Sequence, residues 1–203
     1  MSRISLMILV VNCTLIAAFS GCRSMTPPVT YYTLSSIPGQ MAESETDASG
    51  VITIGIRPVE LPGYINRTQM VTRSGPHQLE ISSLHRWADY PDRMVQKVLG
   101  ENLQALMPHA RVVNATWPVG LKPDVTVSFQ FLELIGISDK KMLLNAVWTV
   151  AHGDSLSVVQ SHRTILSEPM PSSGFDDLAA AHSRVLEALC RAVAETLTAF
   201  QVQ

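Results

Sequence analysis

The stretch VTVSFQFLELIGISDKKMLLNAVWTVAHGDSLSVVQSHRTIL, residues 125–166, decides the fold. At its start Val125, Val127, Phe129 and Phe131 alternate with Thr126, Ser128 and Gln130. A period of two puts the apolar set on one face of a strand and the polar set on the other, so the strand is half buried. Met142–Ala151 and Leu156–Leu166 follow as two more β-rich runs. They flank Gly153-Asp154, a pair suited to a two-residue hairpin turn. Such a turn sets His152 opposite Ser155 and His162 opposite Asn145. Strands joined this tightly must pair antiparallel.

Towards the C-terminus, Pro169-Met170-Pro171 breaks the sheet, and the stretch from Ser173 to Asp177 opens a helix that runs nearly to the end. Leu178, Ala181, Val185, Leu189, Val193, Leu197 and Phe200 form its apolar stripe. Towards the N-terminus, a second helix is expected from Asp89 to Met107, with Asp89 as cap, Pro91 in the first turn and Asp92 at the positive end of the dipole. Val95, Val98, Leu99, Leu103 and Leu106 lie on one face, and Pro108 stops it. Gln69–Thr72 and Gln78–Ser82 flank Ser74-Gly75-Pro76-His77 and read as a hairpin. Val51–Val59 and Tyr31–Leu34 read as strands, with Pro58 ending the former or placing it at an edge. Between them, residues 35–50 hold three acids and no Lys or Arg, the pattern of a mobile loop. The order predicts an α+β fold in a single domain, residues 30–203, with a mainly antiparallel sheet and two packed amphipathic helices.

Composition excludes several classes. The chain of 203 residues is 46% apolar and carries 15 Lys+Arg against 17 Asp+Glu, a net charge of −2. No basic excess exists to neutralise phosphates, which argues against a nucleic-acid binder. The apolar fraction excludes a disordered chain, and three cysteines exclude a disulfide framework.

The first 21 residues read as a signal peptide. Arg3 is the positive n-region, Ile4 to Phe19 are mostly apolar, and Phe19-Ser20-Gly21-Cys22 ends the run. Sixteen residues are short for a bilayer span, which takes roughly 20. Small residues before a cysteine resemble the lipobox of bacterial lipoproteins, which makes Cys22 the expected lipidated N-terminus. Residues 22–29 are then a lipidated tether, stiffened by Pro27-Pro28. Arg23 follows the cysteine where Asp would signal inner-membrane retention, so the expected address is the periplasm-facing inner leaflet of the outer membrane. Removing residues 1–21 takes away Arg3 alone, leaving 14 basic and 17 acidic groups, a charge of −3. Cys190 is then the lone free thiol, expected as a small buried apolar residue.

A search for chemistry returns little. There is no G-x-S-x-G, Walker loop, G-x-G-x-x-G, H-E-x-x-H or C-x-x-C. No catalytic constellation, metal site or cofactor is expected. His152 and His162 fall too far apart along the ladder to share a metal, and His77, His109 and His182 read as surface residues. Asp176 and Asp177 lie in a first helical turn, where acids complement the dipole. Asn66-Arg67-Thr68 and Asn114-Ala115-Thr116 match the glycosylation sequon but carry no glycan by default in a bacterial lipoprotein. The unusual segment is RPVELPGYINRTQMVTR, residues 57–73, with two prolines and a glycine between strands. It reads either as a turn with Tyr64 plugging the sheet or as a rigid contact surface carried by Leu61, Tyr64 and Arg67.

The lipobox, YYTL at 31–34, and Leu61-Pro62-x-Tyr64-x-x-Arg67-x-Gln69-x-Val71-x-Arg73 together resemble the PqiC-like auxiliary lipoproteins of ABC-type transport systems. Arg86-Trp87-Ala88-Asp89, followed by Val98-Leu99-x-x-Asn102-Leu103, matches that family's second block. The resemblance implies a non-enzymatic lipoprotein beside a tunnel-forming MCE-domain (mammalian cell entry domain) membrane protein, moving lipids or other hydrophobic molecules between membranes and supporting envelope integrity. It also implies self-association into a homo-oligomer. Arg86-Trp87 is expected to fix the sheet-to-helix join, with Trp87 buried and Arg86 on a carboxylate or carbonyls. Two classes compete: an outer-membrane lipoprotein enzyme, which needs an acid, base and nucleophile that the sequence does not offer, and a periplasmic lipid-binding carrier, which needs a closed apolar cavity of several hundred Å³.

Overall fold

The computed structural model describes residues 27–38, 51–153 and 158–200. The signal peptide, Cys22, most of the acidic 35–50 stretch and Asp154-Ser155 lie outside them. Eight strands and two helices follow in the order β1 (Thr30–Tyr32), β2 (Thr53–Ile56), β3 (Gln69–Gly75), β4 (Gln78–Trp87), α1 (Pro91–Leu106), β5 (Arg111–Asn114), β6 (Val125–Ile137), β7 (Lys141–His152), β8 (Val158–Pro169) and α2 (Phe175–Phe200).

β6 organises the sheet. Along one edge it pairs antiparallel with β7 from Val125↔His152 to Ile137↔Lys141. Along the other edge its first residues pair parallel with β2 and its last with β3. β3 carries β4 and then β1; β2 carries β5; β8 closes the far side on β7. The three antiparallel ladders, β3–β4, β6–β7 and β7–β8, are the long ones, and the four parallel ladders are short. The sheet is therefore mixed, a refinement of the expected mainly antiparallel one.

The alternation expected at 125–131 is present: Val125, Val127, Phe129 and Phe131 are all buried. Beyond a register shift between Phe131 and Glu133, Leu134, Ile135 and Gly136 are all buried. On β7, Met142, Leu144, Ala146, Trp148 and Val150 face the same core. Both helices join that single hydrophobic cluster. They also touch each other, with the Cys190 thiol 3.8 Å from the Leu99 carbonyl.

Several expectations need correction. Among the described residues the β7–β8 ladder runs to Ala151 opposite Val158, with a register shift between Val150 and Ala151, so its register differs from the expected one. His162 consequently faces Trp148, on which it stacks at 4.3 Å, and Asn145 faces Ile165. The strand read at 51–59 is trimmed to four residues, because Pro58 has no N–H to give. Tyr90, not Asp89, is the N-cap of α1, and its side chain makes no capping hydrogen bond. Residues 35–38 are packed rather than loose: the Ser35 N–H donates to Ser183 Oγ on α2, and the Ile37 N–H to the buried Asn102 Oδ1 on α1. They form a strap across both helices.

Candidate contact surface

The 57–73 segment is bolted to the body at both ends. Past β2, the Arg57 N–H donates to the Val127 carbonyl (2.9 Å), the Glu60 N–H to Phe129 (3.0 Å), and the Glu60 carbonyl accepts from Phe131 (2.8 Å). The chain thus follows β6 beyond Pro58 before turning away. The Pro62 carbonyl accepts from both Ile65 and Asn66, which closes the turn. Ile65 drops into the core at 7% exposure. Asn66 then supplies the cap that α1 lacks: its Oδ1 accepts the Asp92 N–H and its Nδ2 donates to the Asp92 carboxylate, both at 3.3 Å. At the far end the Thr68 carbonyl takes the Trp87 N–H at 2.6 Å.

Sequence reasoning offered Leu61, Tyr64 and Arg67 here, and the structure brings all three into this one segment, each half-buried. Leu61 and Tyr64 pack on the core. The Tyr64 hydroxyl reaches Arg73, whose guanidinium donates to Glu133 Oε1 at 2.7 Å; that bond, with the Glu133 charge and Tyr64, holds the Arg73 pKa above its ordinary value despite burial. Arg67 Nε is buried with no acceptor among the described residues. Gly63, at the tip, is exposed, and a Cβ there would meet nothing within 4 Å.

Two neighbours escaped sequence reasoning. The Asn66–Asp92 bonds set the start of α1 beside the loop, and there Tyr90 is 50% exposed with the Arg93 guanidinium 5.8 Å from its ring. Only the pairing of Asn66 with Asp92 makes Tyr90 part of this surface.

Beneath the loop, Leu61, Ile65, Trp87, Met94, Leu134 and His182 enclose a cavity of about 20 Å³. That holds about one water and no acyl chain. A larger hollow of about 340 Å³, lined by Ile52, Leu106, Met107, Pro108, His109 and Thr198, lies open at the C-terminal ends of both helices. Trp87 is buried as expected, while Arg86 Nε finds no acceptor among the described residues, so its expected carboxylate or carbonyl partner does not appear there. His182 is not a surface residue. It is 7% exposed, its Nδ1 lies 2.8 Å from the Leu178 carbonyl, and its ring meets Trp87 edge-on at 5.1 Å. Burial pushes its pKa from 6.5 down to about 4, against the pull of the Leu178 and Leu134 backbone. Among the described residues no group of three or more His, Cys, Asp or Glu could hold a metal, and no helix is long and apolar enough to cross a membrane.

A family model described as "ABC-type transport auxiliary lipoprotein component" matches residues 32–194. The chain belongs to this family. The match begins at Tyr32 in β1 and ends in the last turns of α2, so it takes in the described core apart from Leu197. Among curated proteins none matches. Two solved structures are similar in fold. One is a crystal structure of an uncharacterized protein, 17% identical, with a TM-score of 0.68 over 84% of this chain and 99% of that one. The other, from Xanthomonas campestris and assigned to the family DUF330, is 15% identical, with a TM-score of 0.65 over 85% and 97%. The auxiliary lipoprotein family is a transport family and not a known enzyme family.

Proposed function

We propose that this auxiliary lipoprotein acts by contact and not by catalysis, anchored through lipidated Cys22 to the inner leaflet of the outer membrane. Its partner in this reading is an MCE-domain membrane protein whose periplasmic tunnel passes lipids or other hydrophobic molecules between membranes, and the domain self-associates there. The family match over residues 32–194 is the observation that carries the reading. The bolted loop supports it. A segment held by backbone bonds to β6, by Asn66 on α1 and by Thr68 on β4 loses little entropy when it docks. Its outer rim presents Gly63, the exposed parts of Tyr64 and Arg67, and Tyr90, with Leu61 fixing the rim from below. Tyr and Arg are the residue types that dominate interface energies. The cavity under the loop, about 20 Å³, holds no acyl chain, and the hollow of about 340 Å³ is open, so neither is the closed apolar cavity that the carrier alternative needs.

The test is affinity capture from detergent-solubilised envelopes. Gly63→Arg adds bulk into open space and leaves the fold intact. The wild type should bring down an MCE-domain protein, while Gly63→Arg should keep its thermal midpoint and lose that partner. Retention of the partner by the folded variant would move the contact surface elsewhere.

A further inference from the structure

We infer that the β3–β4 hairpin is a foot that rests on the lipid surface into which Cys22 is anchored. This inference rests on the lipidation of Cys22 proposed above. β1 runs parallel to β4, with Thr30 beside His85 and Tyr32 beside Trp87. At Thr30 the strand therefore points back along β4 towards Gln78 and the hairpin tip. The tether and the hairpin also match in length. From Cys22 to Thr30 is eight residue steps, with a reach of at most about 28 Å. β3 runs from Gln69, opposite Arg86, to Gly75 at the tip in six steps, or roughly 20 Å. An acylated Cys22 at the end of this tether thus reaches only a little beyond the tip. Any slack in the tether brings the tip onto the bilayer.

The hairpin is dressed for such a surface. Leu79 and Ile81, two residues apart on β4 near the tip, are 40% and 50% exposed. Isolated exposed apolar residues are ordinary, but these two lie at the end of β4 towards which β1 points back. From Ser74 to Ile81 the only acid is Glu80, so little charge opposes an approach to anionic headgroups. Apolar side chains such as these gain free energy by entering the headgroup boundary.

The test uses the full, lipidated protein in vesicles of phosphatidylethanolamine and phosphatidylglycerol. An environment-sensitive fluorophore is placed on Leu79→Cys or, at the far end of β6 from the hairpin, on Val119→Cys; the native Cys190 is buried. The probe at 79 should shift to the blue and be quenched by lipids brominated near the headgroups, and the probe at 119 should do neither. Absence of quenching at 79 in protein whose mass shows an acylated Cys22 overturns the foot alone. A mass showing no acyl chains on Cys22 overturns the anchor and the foot together. A blue shift at 79 without lipid quenching, accompanied by cross-links from 79 to another copy, overturns the lipid assignment in favour of a second protomer.

Discussion

Replacing His182 by Gln should flatten the acid limb of the stability curve. The imidazole is neutral in the native state because burial against Trp87 and the α2 backbone lowers its pKa from 6.5 to about 4. The unfolded chain takes up a proton near 6.5 and the folded chain does not, so the unfolded state gains stability as pH falls between those values. The contribution of His182 is fully present above 6.5, is lost progressively towards 4, and changes no further below. A depression of this size is worth about 3 kcal/mol, at about 1.4 kcal/mol per decade of proton affinity. That is a large share of the roughly 5–15 kcal/mol that separates a domain from its unfolded state. Urea unfolding of a soluble form in steps from about pH 7.5 to about pH 4 would measure it. The wild type should lose about 3 kcal/mol more over that range than His182→Gln, whatever the variant costs at neutral pH. Equal slopes for the two proteins, or a His182 imidazole that titrates near 6.5 by NMR, would refute the reasoning.

Three further outcomes follow from the core. Gly136→Ala should destabilise the fold by about 1–3 kcal/mol, read by denaturant midpoint, because a Cβ there overlaps Leu178 Cδ1 where α2 crosses β6. Asn102→Ala should cost about 1–2 kcal/mol and raise amide exchange at Ile37, whose N–H loses its buried acceptor and whose strap loses its hold on α1. Cys190, whose thiol is pushed up to about 12 by burial, should not react with a thiol reagent at about pH 8 until denaturant is added.

What could be read in advance was whatever repeats at short range. The period of two at 125–131 and the stripe Val95–Val98–Leu99–Leu103 gave β6 and α1, because each residue there reports its own face. β5 escaped since its four residues, Arg111–Asn114, alternate too briefly to stand out after Pro108. The parallel ladders escaped for another reason. β1 on β4 and β5 on β2 join residues about 55 positions apart, and nothing in either short strand names its partner. The β8 register was misjudged because Gly153-Asp154 fits a tight turn, whereas Ala151 pairs with Val158 and the ladder shifts between Val150 and Ala151. His182 is the instructive error. Weighed by polarity it belongs outside, but it sits four residues after Leu178 and three before Val185, and helical spacing turns it inward. In the candidate surface, Leu61, Tyr64 and Arg67 were legible from residue type. Tyr90 was not, since the Asn66–Asp92 pairing that brings it there spans 26 residues.

The contact reading is tested most directly by a photo-activated cross-linker at position 63 in living cells, with position 119 as the comparison. Gly63 stands in open space on the rim of the bolted loop, while Val119 is fully exposed at the far end of β6. The account predicts an adduct between position 63 and an MCE-domain protein, identified by mass spectrometry, and none from 119. Folded, envelope-localised protein that gives no such adduct at 63, or gives it equally at 119, would contradict it.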